Sequence, residues 1–295
     1  MSPSAELGRQ SRPPVAELSR ASDAHGAMRG RQVESRSTEP PQYSPLAILA
    51  VWAAAALPMA LLGWVLAPAL AAQPSHPGTE RLAVLTIGLA WQFILVLVLV
   101  RHEAGRLSWR ELRARLWLQT PRSPRSGRPQ RRLWWWLVPL LLATALFEMV
   151  VTGVIDDAWQ AVLPFLKEPA NFAFATLVDT PAKRAGYQGD WGLLALFLVS
   201  AILNTVIGEE LLFRGLLLPR MRKACGRLDW LANGALFGLY HLHQPWMMLS
   251  AAIEGAFLFA WPTRRFRSSW FGIIAHSGQS VFFAVLILGI VLGRG

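Results

Sequence analysis

Apolar residues run along this chain in blocks of about twenty, the length a helix needs to cross a hydrocarbon core at a rise of about 1.5 Å per residue. The blocks predict spans at 45–72, 82–100 and 133–154, from Trp191 towards Pro219, and at 229–243, 246–262 and 270–292. No segment of consequence alternates with the period of a strand, and no stretch repeats. The expected fold is therefore all-α, a polytopic bundle of about seven transmembrane helices.

Polar stretches divide these blocks. Residues 1–44 are rich in Ser, Pro, Arg and Glu and carry no apolar period, which reads as a disordered cytoplasmic tail. Residues 45–154 form a three-span region interrupted at 101–132 by ten arginines set against Glu103 and Glu111. That loop is expected on the cytoplasmic side, where short loops gather Lys and Arg. Its stretch WRELRARLWL has the pattern of a short surface helix, and PRSPRSGRPQRR reads as a flexible linker. Trp134, Trp135 and Trp136 then mark an interfacial belt. Loop 155–190, with Asp156, Asp157, Glu168, Asp179 and Asp190, is expected outside. With the N-terminus cytoplasmic, seven spans place every arginine cluster on one side.

Composition changes this picture little. The chain has 295 residues, 53% of them hydrophobic and 16% charged, against about 25% charged in soluble domains. A net charge of +11 would suggest nucleic acid in a soluble protein. Here the arginines lie between apolar blocks, so membrane orientation accounts for them and no nucleic-acid partner is expected. The single cysteine, Cys225, excludes an internal disulfide and a multi-cysteine zinc site.

The chemistry stands inside the blocks. Glu209 and Glu210 interrupt WGLLALFLVSAILNTVIGEELLFRGLLLP, and carboxylates at membrane depth mark functional sites by default. Glu210 and Arg214 are four apart and share a helix face, which suits an ion pair. Glu209 lies about 100° round and is free to face elsewhere. Glu209 and His241 each stand roughly 22–26 Å along their helices from the turn at Gly226, so they reach similar depth. His276 also falls within a span. Phe237 lies one turn before His241, while Gln279 and Ser280 lie one turn after His276. Glu254 is a further intramembrane acid, expected to support the site. His243 is expected at a helix interface, off the His241 face. Glu148 and Asn204 need no more than interhelical hydrogen bonds.

The pattern Glu209-Glu210-x-x-x-Arg214, Phe237-x-x-x-His241 and His276 with a polar residue one turn on resembles the CPBP family of intramembrane proteases. That family includes CAAX prenyl endopeptidases of the Ras-converting type and bacteriocin-processing or immunity proteins. The likeness covers about 191–290 and is most specific at GEELLFRG. It implies that 191–293 form a four-helix catalytic core in a bacterial inner (plasma) membrane. The implied activity is hydrolysis of a peptide bond in a membrane-anchored, lipidated or leader-bearing protein or peptide. By matching position, Glu209 activates water, His241 helps to hold it, and His276 stabilises the oxyanion, while Glu210 and Arg214 support them. A low-dielectric site makes a carboxylate a better base near neutral pH. The family has Asn where this chain has Ser280, with the Gln279 amide one position earlier; a weaker oxyanion donor lowers activity by about 10²-fold. No cofactor is expected, although Glu209, His241 and His276 would be the ligands of a zinc-dependent version. A non-catalytic partner-binding protein of the same fold is the remaining alternative.

Overall fold

The computed structural model describes residues 40–71, 77–169, 172, 178 and 180–294. Most of the expected disordered tail, residues 1–39, and part of loop 155–190 lie outside them. Helices dominate the described residues, among which an isolated antiparallel bridge between Arg122 and Pro129 stands in place of any sheet. Five helices are long and apolar enough to cross a membrane: α1 (Pro45–Leu70), α2 (Thr79–Ala104), α4 (Arg131–Val162), α5 (Trp191–Arg220) and α8 (Trp270–Val291). The protein is an integral membrane helix bundle. α4 is its outermost span, with 6% of its apolar window buried against 39% for α2.

The spans expected at 229–243 and 246–262 are a shorter helical hairpin. α6 (Asp229–Tyr240) has 12 residues, about 18 Å of helix against a core of about 30 Å. It breaks at His241 into two tight turns. α7 returns from there, starting as Met248–Glu254 and continuing through Gly255–Ala260 to Trp261–Phe266. The hairpin closes on small residues: a methyl group on Gly234 or Gly238 would overlap Ala256 or Ala252 of the facing helix. Close backbone approach of this kind replaces the hydrophobic effect as the adhesive between membrane helices. Because the hairpin returns to its starting end, the arginine clusters still gather at one end of the bundle.

That end is sealed. Fully buried Arg220 donates to both oxygens of Glu103, at 2.8 Å from Nε and 2.6 Å from Nη2, and to the carbonyls of Leu216 and Arg115. Arg115 also reaches Glu103, at 3.6 Å. Tyr43 donates to the same carboxylate, and burial together with that bond pushes its phenol far above the ordinary range, so it remains a donor. Over this network folds the arginine-rich loop. Its short helix α3 (Trp109–Arg115) is followed by Trp117 in a left-handed backbone, with Leu116 and Leu118 buried in the core on either side of it. Nor is 121–132 a loose linker. Arg122 N–H donates to Phe266 O at 2.8 Å, Gln130 N–H returns to Pro121 O at 2.9 Å, and Ser268 and Ser269 donate to the carbonyls of Gln119 and Leu116 at 2.6 Å each.

Removing the acid at the centre of this seal leaves two guanidinium groups without it. Glu103→Ala is expected to cost about 3–5 kcal/mol, the penalty for breaking a buried ion pair. Thermal unfolding of the detergent-solubilised protein measures this, and an unchanged melting temperature would remove the seal from the account of stability.

Candidate active site

The site is built where two helices lose regular α geometry. α5 widens into π turns at Ile202–Gly208 and Leu211–Leu217, and α7 does so at Gly255–Ala260. A π turn closes its hydrogen bond over five residues and is frequent at functional sites. It brings positions i and i+5 onto one face, so Asn204 meets Glu209. With the amide oriented by its hydrogen bonds, Asn204 donates to both oxygens of Glu209 at 2.9 Å each. Tyr240 provides a further hydrogen bond to Glu209, and its hydroxyl accepts from Gln92 of α2 at 2.6 Å. The catalytic candidate is thus a nearly buried carboxylate, 4% exposed, held by the Asn204 amide and the Tyr240 hydroxyl, with Gln92 behind Tyr240.

Glu210 faces the other way, as the 100° separation requires. Its Oε1 lies 3.1 Å from Arg214 Nη1 and 3.1 Å from His276 Nδ1. Arg214 also donates from Nη2 to Gly255 O at 3.0 Å and lies 4.1 Å from the centre of the Phe237 ring. Phe237 stands edge-on to His241, at 4.9 Å and 83°, and to His276, at 6.0 Å and 88°. Phe259 stacks on His276 at 4.8 Å. Both imidazoles are therefore fixed in plane and tilt. His241 Nδ1 lies 2.8 Å from Phe237 O, and since a carbonyl can only accept, Nδ1 carries the proton and Nε2 is left as an acceptor. His276 spends Nδ1 on Glu210, which likewise leaves Nε2 unspent.

One cavity of about 420 Å³ is lined by Glu209, His241 and His276 together, with Phe237, Glu254, Gln279 and Ser280 also in its wall. Glu210 and Arg214 stand behind it. Two details differ from expectation. The Gln279 amide is not beside His276: its Nε2 donates to Glu148 and, at 2.7 Å, to Glu254. Two carboxylates hold the amide there, so Ser280 is the polar side chain left at that wall. His243, expected at an interface, instead lines the cavity and stacks on His241 at 5.5 Å and 21°. The helix ends at Tyr240, so the angular spacing of an α-helix no longer applies to it. Tyr240 and Gln92 are the residues that sequence reasoning passed over, and Asn204 and Glu148, read as interhelical hydrogen-bonding residues, here bond to Glu209 and Gln279.

Among the described residues, no three or more His, Cys, Asp or Glu side chains are gathered as ligands of a metal. In this geometry Glu209, His241 and His276 do not converge as the ligands of a zinc ion.

A family model described as type II CAAX prenyl endopeptidase Rce1-like matches residues 190–282. The match supports a CAAX-type intramembrane protease domain of the CPBP family in this segment. It holds Glu209, His241 and His276 and leaves α1, α2 and α4 outside the match. No curated protein and no solved structure matches the chain.

Within the domain, Gly272 is the position that lets Glu210 hold its two partners. A methyl group there would overlap the Glu210 carboxylate and stand 3.2 Å from Arg214 Cγ and from Thr263 Oγ1. Gly272→Ala is expected to displace Glu210 from His276 and to remove proteolysis while the protein still inserts. Immunoblotting of membranes beside a cleavage assay tests this; normal cleavage would show that the Glu210–His276 contact is dispensable.

Proposed function

We propose that this chain is an intramembrane endopeptidase in which Glu209 activates water. The observation that carries this reading is the convergence of an oriented carboxylate and two imidazoles, each with Nε2 unspent, on one buried cavity. Water sits between Glu209, which takes its proton, and His241 Nε2, which accepts its other hydrogen and aims the oxygen. Attack on the peptide carbonyl carbon forms a C–O bond and moves charge onto the carbonyl oxygen. His276, doubly protonated and held through Nδ1 by Glu210, donates from Nε2 to that oxyanion. Collapse breaks the C–N bond, and the proton on Glu209 passes to the leaving amine, giving a carboxylic acid and a free amine.

The substrate is a membrane-anchored, lipidated or leader-bearing protein whose scissile bond reaches this depth. The arginine clusters support a bacterial inner-membrane location with the N-terminus in the cytoplasm, on their side. A non-catalytic relative of the fold is the second reading, and the engagement of Gln279 away from His276 is what favours it.

Comparison of membrane-protein termini between cells with the parent protein and cells with Glu209→Gln identifies the substrate. In a cleavage assay with it, Glu209→Gln and His241→Ala should each lower turnover by about 10²–10⁴-fold, the worth of a positioned acid–base group. Ser280→Asn should raise it, by up to about 10²-fold, by adding an oxyanion donor. Cleavage should persist in chelator. Undiminished processing by both alanine and glutamine variants would leave only the non-catalytic reading.

A further inference from the structure

A second cavity opens at the arginine-rich end and shares no wall residue with the one at Glu209. Its volume is about 430 Å³, within the range of about 300–1,000 Å³ typical of small-ligand sites. It lies between α3 and the segment 119–129. Trp109, Arg110, Arg113, Gln119 and Arg122 are in its wall, and no carboxylate is.

Helix α3 sorts its charges by face. Glu111 and Arg115 are four apart and pair at 3.0 Å, and Arg106 reaches the same acid at 3.7 Å. Arg110 and Arg113 are three apart on another face and turn to the cavity. Arg113 Nε donates to Leu118 O at 3.2 Å. Arg122 donates from Nη2 to Gln119 Oε1 at 3.2 Å and from Nη1 to Gly127 O at 3.4 Å. Neutral acceptors thus aim both guanidinium groups, and each of the two keeps donors to spare out of its five N–H groups. Arg110 stands exposed at the same wall. Three cations around one space, with no acid between them, favour the entry of an anion.

The depth of the cavity selects the anion. Arg122 N–H is bonded to Phe266 O, and the Gln119 amide to Arg267 O at 3.0 Å, both where α7 ends. α4 begins at Arg131, two residues beyond Pro129 in the wall, and Trp135 and Trp136 in its first turns are 77% and 56% exposed. Trp109, in the wall itself, is 64% exposed. Exposed indoles at the ends of membrane helices mark the headgroup level. The arginines therefore stand at the depth of the bilayer's own phosphates, which guanidinium forks match in shape and charge.

We propose that this cavity binds the phosphate headgroup of an anionic phospholipid from the leaflet at the arginine-rich end. The lipid joins α3 to the segment 119–122 and so fastens the cap over the Glu103–Arg220 network. The inference stands apart from the protease reading, since every wall residue lies outside the matched domain.

The full-length protein, stripped of lipid in an uncharged detergent, is titrated with dihexanoyl phosphatidylglycerol, dihexanoyl phosphatidylcholine and glycerol 1-phosphate, and binding is followed by thermophoresis. Phosphatidylglycerol should bind at least about fivefold tighter than either of the others, the worth of one arginine beside an anionic lipid. It should also raise the melting temperature. Arg110→Glu, at an exposed side chain, should remove both effects and leave the lipid-free melting temperature unchanged. Arg110→Lys should keep them. Arg113→Gln combined with Arg122→Gln should lose the preference as well. Arg227→Glu makes the same change of net charge as Arg110→Glu at an exposed position of another basic loop, and should leave the preference intact. Equal binding of the two lipids, a preference that survives Arg110→Glu, or one that Arg227→Glu removes as fully, overturns the proposal. Glycerol 1-phosphate binding as tightly as the lipid would assign the cavity to a soluble phosphate, and tighter binding of an octa-aspartate peptide would assign it to an acidic protein; either result also overturns it.

Discussion

Glu210 has no solvent access, and a lone carboxylate there would be too costly to keep. Arg214 and His276 make its burial tolerable, and each then fixes something else. Arg214 reaches the Gly255 carbonyl of α7 and covers Phe237 of α6. His276 brings α8 up to α5. One charge therefore sets the spacing of four helices, and the cavity is the space left on the other face of α5, where Glu209 looks out. Supporting and reacting carboxylates are adjacent in sequence because a helix turns by about 100° per residue. The same backbone can thus present one acid to a framework and the next to water.

The bundle and the core of the site were legible because both rest on regular geometry. Apolar length revealed the spans, and helical spacing paired Glu210 with Arg214 and set Phe237 beside His241. What escaped were departures from that regularity. Asn204 and Glu209 are five apart, which separates them on an α-helix and aligns them on the π turn that forms here. His243 joins His241 because the helix stops one residue before His241. The hairpin 229–266 looked like two spans because its apolar content is that of a span, while its first arm is too short to be one. The arginine-rich loop looked mobile from its Pro, Ser and Arg content, yet its backbone groups are spent on neighbours that lie far away in sequence.

The family match stops short of much that shapes the cavity. Gln92, which supports Tyr240, comes from α2, and Glu148, which takes the Gln279 amide, comes from α4. The matched segment carries the reacting groups, and the N-terminal spans set how those groups are oriented and what stands next to them. Relatives that share the domain but differ in α2 and α4 would keep the chemistry and change what it acts on.

The closed arginine-rich end has a consequence for the membrane itself. A protease in a bilayer must admit water to its carboxylate, and a water-filled passage from one face to the other would let protons leak and dissipate the potential across the membrane. Here the cavity at Glu209 is backed by packed side chains on the arginine-rich side. Beneath it lie the aromatic rings around Phe237, then a layer of paired charges in which Glu103, Arg115 and Arg220 leave little room for a continuous file of water. On the protease reading, a bond could be hydrolysed in the middle of an insulating layer without breaking the insulation.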